Sequence, residues 1–277
     1  MPERVLVAQH AEHGPTTGQP RAFRWLPAAV RRAGGATHAG ARPICGRSGA
    51  STGPRTLAPT LRTGTFVTRT IVHAAQIIPM RPSVPLTSAC LLACGVSTGA
   101  EAALHTTPVW PGASVAVIGC GGVGLSVVAG ARLAGAERII AVDIAPQKLE
   151  WATRFAATDV VDASAGDAVE AVRELTGGRG VNFAFEATGR PQPVEQAIRM
   201  LGHAGTATMV ENKATLTVSH GGDTIPAYDF PALARYYLDG RLDLDAMVTK
   251  TIGLEGIEAA FDDMAASRVI RSVVVFN

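Results

Sequence analysis

Four closely spaced glycines and one aspartate are the residues whose types and spacing could do chemistry in this 277-residue chain. The glycines lie in the turn Gly119–Gly124, between the apolar run Ser114–Ile118 and a stretch with a helical pattern. Asp143 ends a second apolar run, roughly 20 residues further on. Glycines in such a turn permit a tight bend, leave room for a pyrophosphate and let the helix pack close to the strand. The spacing therefore predicts a dinucleotide-binding site, with the phosphates at the start of the helix.

Asp143 also indicates which dinucleotide is bound. A carboxylate at the end of the second strand can accept two hydrogen bonds from ribose hydroxyls and would repel a 2′-phosphate, so NAD is predicted rather than NADP. Ile144 follows, where an NADP enzyme often places Arg. The alternative is a glycine-rich turn in another α/β protein such as a methyltransferase, whose ribose Asp143 would suit equally well.

Alternating strands and helices must position these residues. Strands are predicted at 114–119, 138–143, 159–162, 181–186, 205–210 and 214–218, and helices at 122–134, 146–155, 166–176 and 191–201. Short loops between alternating elements indicate an α/β fold with a doubly wound parallel sheet of the Rossmann type. Outside this unit we predict strands at 65–72, 76–79 and 272–276, and helices at 96–106, 228–238 and 254–266.

Composition excludes several classes of protein. The chain is 47% hydrophobic and 17% charged, which allows a sizeable core and is not typical of disorder. The four cysteines are scattered and form no disulfide framework, and no signal-peptide pattern is visible, so a cytoplasmic location is expected. Residues 113–131 carry no charge, but glycines interrupt them, so we expect a buried nucleotide-binding unit and no membrane partner.

Residues 1–62 differ in amino-acid composition from the rest of the chain. They hold nine arginines, no lysine and only Glu3 and Glu12 as acids, which gives a net charge of +7. The arginines are dispersed without aromatic interleaving, so nucleic-acid binding is not predicted. This composition is typical of a GC-rich gene read out of frame, and a genuine replacement domain is the alternative. Translating the upstream DNA in its other two frames would separate the two.

Two segments, Cys90–Gly99 and Val115–Leu125, resemble the zinc-containing medium-chain alcohol dehydrogenases. The class III branch, with its glutathione- and mycothiol-linked formaldehyde dehydrogenases, is especially similar. The likeness runs from about Gly64 to Asn277 and includes Phe185–Arg190, Gly240–Asp245 and Val269–Val273. It implies hydride transfer between an alcohol, or a hydroxymethyl-thiol adduct, and NAD. Residues 1–62 do not share this likeness. For the rest of the chain it implies a remnant of a GroES-like catalytic β domain at 63–96, an NAD-binding domain at 97–222, and helices and a strand at 223–277.

The resemblance assigns roles to individual residues. Cys94 corresponds to a ligand of the catalytic zinc, and Thr98 to a threonine beside the nicotinamide. The cofactor-binding positions are Gly119, Gly121, Gly122, Val123 and Gly124 in the pyrophosphate turn, Arg271 on the pyrophosphate, Asp143 and Lys148 on the adenosine ribose, and Gly189 and Arg190 beside the nicotinamide. Simpler interpretations remain open: Cys94 as an inert buried thiol, Thr98 as a helix cap, and Lys148 and Arg271 as surface charges.

The sequence also departs from the family. A catalytic zinc needs three protein ligands, but the Gly-x-Cys-His-Ser/Thr-Asp and Gly-His-Glu-x-x-Gly stretches that carry the other two are absent, as is the four-cysteine structural cluster. A loop and a helix of the family are also missing after Val210. Whether the chain binds zinc is therefore an open question at the level of the sequence. The alternatives to an alcohol dehydrogenase are an NAD-binding protein without turnover and a zinc-free reductase of enones or quinones. The expected partners are a small alcohol or aldehyde and, as an option, further copies of the chain.

Overall fold

The computed structural model describes residues 77–210, 218–219 and 224–276. The basic segment 1–62, the predicted strand 65–72 and most of the predicted strand 214–218 lie outside these ranges. Residues 77–96, the described part of the expected β-domain remnant, contain helical turns and no strand. The strand predicted at 76–79 is therefore wrong for residues 77–79. Pro79 has no N–H to give to a strand ladder, and Pro82 and Pro85 follow it closely.

One parallel sheet organises the described chain. Its strands are β1 (Ser114–Ile118), β2 (Arg138–Asp143), β3 (Asp159–Asp162), β4 (Val181–Glu186), β5 (Leu201–Val210) and β6 (Val218–Ser219). They are hydrogen-bonded in the order β3-β2-β1-β4-β5-β6, and every pair is parallel. This order confirms the predicted doubly wound sheet. The direction of winding reverses between β1 and β4, and ligands of such sheets bind at the carboxyl ends of the strands at that point.

Helices cover both faces of the sheet. They are α1 (Leu86–Ala89), α2 (Gly95–Glu101), α3 (Gly122–Leu133), α4 (Pro146–Arg154), α5 (Ala168–Leu175), α6 (Pro191–Met200), α7 (Pro226–Leu238) and α8 (Ile257–Ala265). A 3-10 turn, Cys90–Ala93, joins α1 to α2, and a π-helical turn, Ala102–Thr106, continues α2. In the π-turn, Thr107 N–H donates to the carbonyl of Ala102, five residues back, at 2.9 Å.

Two apolar clusters, one on each face, hold the sheet between its helices. Successive residues of β1 alternate between them: Val115 and Val117 pack with α2, α3 and α4, while Ala116 and Ile118 pack with α5 and α6. This two-sided burial explains the continuous apolar run that the sequence shows at β1. Within the described ranges no single helix has the length and apolar composition to cross a bilayer. Leu86–Ala93 and Gly95–Thr106 meet those criteria only as a pair bent by 59°.

A second, two-stranded sheet follows α7. Strand β7 (Val248–Ile252) pairs in parallel with β8 (Arg271–Val274), with Val248 opposite Arg271. The final strand was predicted, but β7 was not, because its residues alternate weakly and three of the five are exposed. Ile270 and Val273 are buried in the same cluster as α2 and α3, so this small sheet places Arg271 beside the larger one.

Glycines set the distance between α2 and α3. A Cβ on Gly99 would lie 2.6 Å from the Cβ of Ser126, and one on Gly130 would lie 2.6 Å from the carbonyl oxygen of Ala100. Atoms cannot approach so closely, so the two helices would have to separate if either glycine carried a side chain. The contact between α2 and α3 therefore depends on these two residues.

We predict that Gly130→Ala destabilises the protein although it lies inside a helix. Alanine normally gains about 0.5–1 kcal/mol over glycine there, but overpacking costs typically ~1–3 kcal/mol. Urea unfolding followed by circular dichroism should show a lower midpoint than wild type. Gly166→Ala is the control, because its Cβ would meet no atom within 4 Å. A midpoint for Gly130→Ala at or above that of wild type would contradict this account.

Candidate functional site

The turn between β1 and α3 has a shape that glycine alone allows. Gly119 has a φ of +93°, and its added Cβ would lie 2.6 Å from Cγ2 of Thr188. A Cβ on Gly124 would overlap the carbonyl oxygen of Gly119. By contrast, a Cβ on Gly121 would meet no described atom within 4 Å. The turn is thus closed on the protein side at Gly119 and Gly124, and open at Gly121, where a ligand can approach the main chain.

The amino end of α3 faces this opening. Gly121 is its N-cap residue, and no side chain in the described ranges caps the helix. The amino end of α5 differs, because the carboxylate of Asp167 accepts from Val169 N–H at 2.8 Å and from Glu170 N–H at 3.3 Å. The first N–H groups of an uncapped helix keep their donor capacity, and the helix dipole makes this end positive. The start of α3 is therefore suited to an anion.

Arg271 brings a second positive group to the same place. A Cβ on Gly122 would lie 2.5 and 2.6 Å from Nη1 and Nη2 of Arg271, and a Cβ on Gly95 would overlap Nη2. The guanidinium therefore lies against the backbone of α3 and of α2 at their first residues. Its one hydrogen bond in the described structure goes from Nη1 to the carbonyl of Ile270, at 3.3 Å. A guanidinium beside the positive end of a helix is unfavourable unless an anion binds both.

Asp143 stands at the carboxyl end of β2, next to the turn, and is buried. Its Oδ2 accepts from Cys120 N–H at 2.8 Å, and its Oδ1 accepts from Ala145 N–H at 2.9 Å. These bonds fix the carboxylate between the glycine turn and the start of α4. Since a carboxylate has about four acceptor positions, each oxygen keeps one for a further donor such as a ribose hydroxyl.

The pKa of Cys120 reflects the charges around Asp143 at the end of β2. Burial first, and the negative charge of Asp143 second, raise the pKa of the Cys120 thiol to about 12. The ammonium of Lys148 acts in the opposite direction on the same pKa, which places its charge near the Cys120 thiol. Cys120 is therefore a neutral thiol at physiological pH, and the charged groups available to a ligand here are Asp143 and Lys148.

Glu186 is a site residue to which the sequence alone assigned no role, although it lies within the family-like segment Phe185–Arg190. It ends β4, across the switch point from β1, and is fully buried. Its Oε1 accepts from the N–H groups of Thr188, at 2.6 Å, and Gly189, at 3.0 Å. Gly189 has a φ of +68°, and the exposed Arg190 is the N-cap residue of α6. Glu186 thus holds the loop that carries both predicted nicotinamide-side residues.

Cys94 directly precedes α2 as its N-cap residue, and Thr98 lies three residues after Gly95. Thr98 is buried, and its N–H donates to the carbonyl of Cys94 at 2.8 Å. Cys94 is exposed, which excludes its interpretation as a buried thiol. Within the described ranges, Cys94 belongs to no group of three His, Cys, Asp or Glu side chains close enough to share a metal ion. The residues present therefore fit a dinucleotide, but they do not fit a three-ligand zinc at Cys94.

Comparison with known proteins shows which family the chain is similar to. Residues 122–230 match the family described as "Zinc-binding dehydrogenase". The chain is 34% identical over 232 residues to "Alcohol dehydrogenase-like 5" of Arabidopsis thaliana, covering 76% of this chain and 59% of that protein. It is 34% identical over 241 residues to "Probable S-(hydroxymethyl)glutathione dehydrogenase 1" of Schizosaccharomyces pombe, covering 80% and 64%. The chain thus spans less than two thirds of either relative.

Solved structures give the same result. An "Alcohol dehydrogenase zinc-binding domain protein" from Burkholderia ambifaria superposes with a TM-score of 0.68 at 34% identity, covering 73% of this chain and 59% of that one. On sequence and fold together, the matched part of the chain belongs to the zinc-containing alcohol dehydrogenase family.

Proposed function

We propose that this chain binds NAD(H) at the carboxyl edge of the sheet, between β1 and β4. The observation that carries this proposal is the meeting of two positive groups, the Arg271 guanidinium and the uncapped start of α3, at Gly122. A pyrophosphate between them would neutralise both. Asp143 stands at the end of the neighbouring strand, where the adenosine ribose of such a ligand would lie.

Each part of the site then has a separate task. The N–H groups of Gly122, Val123 and Gly124 donate to the pyrophosphate, and Arg271 closes over it. Asp143 and Lys148 hold the adenosine ribose, and the carboxylate excludes a 2′-phosphate. Thr98, Gly189 and Arg190 border the nicotinamide, which accepts or delivers the hydride when it is bound. Glu186 keeps the loop of Gly189 in place through its hydrogen bonds to that loop.

Family membership points to oxidation of a small alcohol, or the reverse reduction of an aldehyde, in the cytoplasm. A hydroxymethyl-thiol adduct is the more specific substrate, because a relative of the chain carries S-(hydroxymethyl)glutathione in its name. Cys94 lacks metal-binding neighbours in the described ranges, so the described residues do not supply a catalytic zinc site. That same observation favours a second candidate function, NAD(H) binding without turnover.

Turnover and binding can be separated directly. The full chain is mixed with NAD and an alcohol, or with NAD, formaldehyde and a thiol, with and without added zinc, while NADH absorbance is followed. If the chain only binds the coenzyme, NADH accumulates at the no-enzyme rate although NADH fluorescence titrates to saturation. NADH formation that is lost in Cys94→Ser would instead establish the dehydrogenase activity.

Arg271→Gln should weaken NADH binding by about 10- to 100-fold, because hydrogen bonds to a charged group contribute roughly 1.5–3 kcal/mol. Fluorescence titration measures the dissociation constant. Arg154→Gln is the matched control: Arg154 pairs with Glu150 on the exposed surface of α4, and the variant should bind NADH like wild type. Equal affinities of Arg271→Gln and wild type would contradict the pyrophosphate role.

Asp143→Asn should reduce the preference for NADH over NADPH by about tenfold or more, since one negative charge opposite the 2′-phosphate is removed. The ratio of the two dissociation constants is the quantity to measure. Asp162→Asn is the control, because Asp162 is the register partner of Asp143 on β3 and its Oδ1 accepts from Ser164. An unchanged ratio in Asp143→Asn would overturn the assignment of the ribose.

A further inference from the structure

Three metal-ligating side chains meet away from the glycine turn, between α2 and α7. Glu101 is the last residue of α2, His105 lies in the π-turn that follows, and Asp229 is in the first turn of α7. One ligand atom from each lies within 4.8 Å of both others. His105 Nδ1 is 2.9 Å from Glu101 Oε2 and 4.0 Å from Asp229 Oδ1.

The Glu101 carboxylate is buried without a full set of partners. Its side chain is 3% exposed, and its Oε2 has no hydrogen-bond partner among the described residues, although His105 Nδ1 lies close by. A buried carboxylate oxygen that accepts no hydrogen bond costs free energy unless another group compensates it. This oxygen points towards the space shared with His105 and Asp229.

The two carboxylate oxygens of Asp229 have different contacts. Oδ2 accepts from the N–H of Ile225, the N-cap residue of α7, at 2.6 Å. Oδ1 is turned towards His105. The hydrogen bond fixes the rotamer of Asp229, so Oδ1 is held in position for a ligand and is not free to turn away.

We propose that Glu101, His105 and Asp229 form a binding site for a divalent first-row transition-metal ion, with zinc as the expected occupant. Zinc bonds of about 2.0–2.2 Å at tetrahedral angles put donor atoms roughly 3.4 Å apart. The observed separations of 2.9 and 4.0 Å bracket that value, so small side-chain movements complete the site. His105 is half exposed, and water can take the fourth position.

The chemistry of the three donors selects the metal. An imidazole nitrogen with two carboxylates suits zinc or cobalt, whereas magnesium and calcium prefer oxygen ligands alone.

The site also holds two carboxyl groups close together. Burial, and secondarily the negative charge of Asp229, raise the pKa of Glu101 to about 7. A divalent cation offsets this unfavourable charge. The π-turn is part of the arrangement, because it carries His105 directly after Glu101, and such turns are frequent at functional sites.

The site is separate from the proposed coenzyme site and from Cys94. None of its three residues belongs to the glycine turn or contacts Arg271 in the described structure. Its ligands come from two helices, so a bound ion would link the start of α7 to the end of α2. Its effect is therefore stabilising, and it does not require turnover or NAD binding.

Zinc titration by calorimetry tests the proposal. The full chain is stripped with a chelator, and zinc is added to wild type, His105→Ala, Glu101→Gln, Cys94→Ser and His203→Ala. Wild type, Cys94→Ser and His203→Ala should share one zinc site of equal affinity. His105→Ala and Glu101→Gln should bind that zinc at least about tenfold more weakly, since even losing a residue that supports a ligand has such an effect. His203 is an exposed histidine on β5 and controls for non-specific imidazole binding.

Thermal unfolding supplies a second measurement that does not depend on fitting the titration. Zinc should raise the midpoint of wild type and Cys94→Ser, because a ligand that binds only the folded state stabilises it. At the same zinc concentration it should raise the midpoint of His105→Ala by less, since that variant binds zinc more weakly. Magnesium should raise neither. The proposal is overturned if wild type binds no zinc, if His105→Ala binds as tightly as wild type, or if Cys94→Ser alone loses the metal.

Discussion

The contact between the Arg271 guanidinium and the first residue of α3 is the interaction on which the rest of the site depends. The guanidinium and the amino end of the helix are both positive. Arg271 can lie against Gly122 only because Gly122 and Gly95 have no side chain. Burying like charges together is unfavourable in isolation. An anion between them converts the repulsion into two attractions. The glycines of the turn, the uncapped helix and the small β7–β8 sheet that carries Arg271 all serve this one arrangement.

Helix α2 connects the two proposed sites of the molecule. Its first residue, Gly95, lies against Arg271, and its last residue, Glu101, faces His105 and Asp229. Along its length it packs closely on α3, with Gly99 and Gly130 allowing the approach. Because the amino end of α3 belongs to the proposed coenzyme site, the packing of α2 sets where that end lies. A cation that ties α7 to α2 would therefore stabilise the scaffold behind the coenzyme site without touching the coenzyme.

Much of the sheet could be predicted from the sequence, because periodicity and glycine spacing are local signals. The strands at 138–143, 159–162 and 181–186 were placed to the residue, and α3 was placed to within one residue. Strand β5 begins at Leu201 and not at residue 205, since its first part is half-exposed and lacks an apolar pattern. Strand β7 was missed because its residues alternate weakly and three of the five are exposed.

The residues of the two proposed sites also differ in how far local sequence signals predict them. The glycine turn and Asp143 follow from spacing, whereas the position of Arg271 depends on a tertiary contact that no local pattern encodes. The group of Glu101, His105 and Asp229 was also missed, because Asp229 is distant in sequence. The local signal that could have been used is a charged residue, Glu101, in the run of small residues from Gly99 to Ala103. A buried charge in such a helix needs a partner from elsewhere in the fold.

The most direct measurement of the central claim compares ADP-ribose with adenosine as ligands of the full chain by calorimetry. Both offer a ribose to Asp143, but only ADP-ribose has the pyrophosphate that would join α3 to Arg271. We expect ADP-ribose to bind at least about 100-fold more tightly, equivalent to ~2.8 kcal/mol, with an affinity that decreases as salt concentration rises. Equal binding of the two ligands, or no binding of ADP-ribose to the folded chain, would contradict the account.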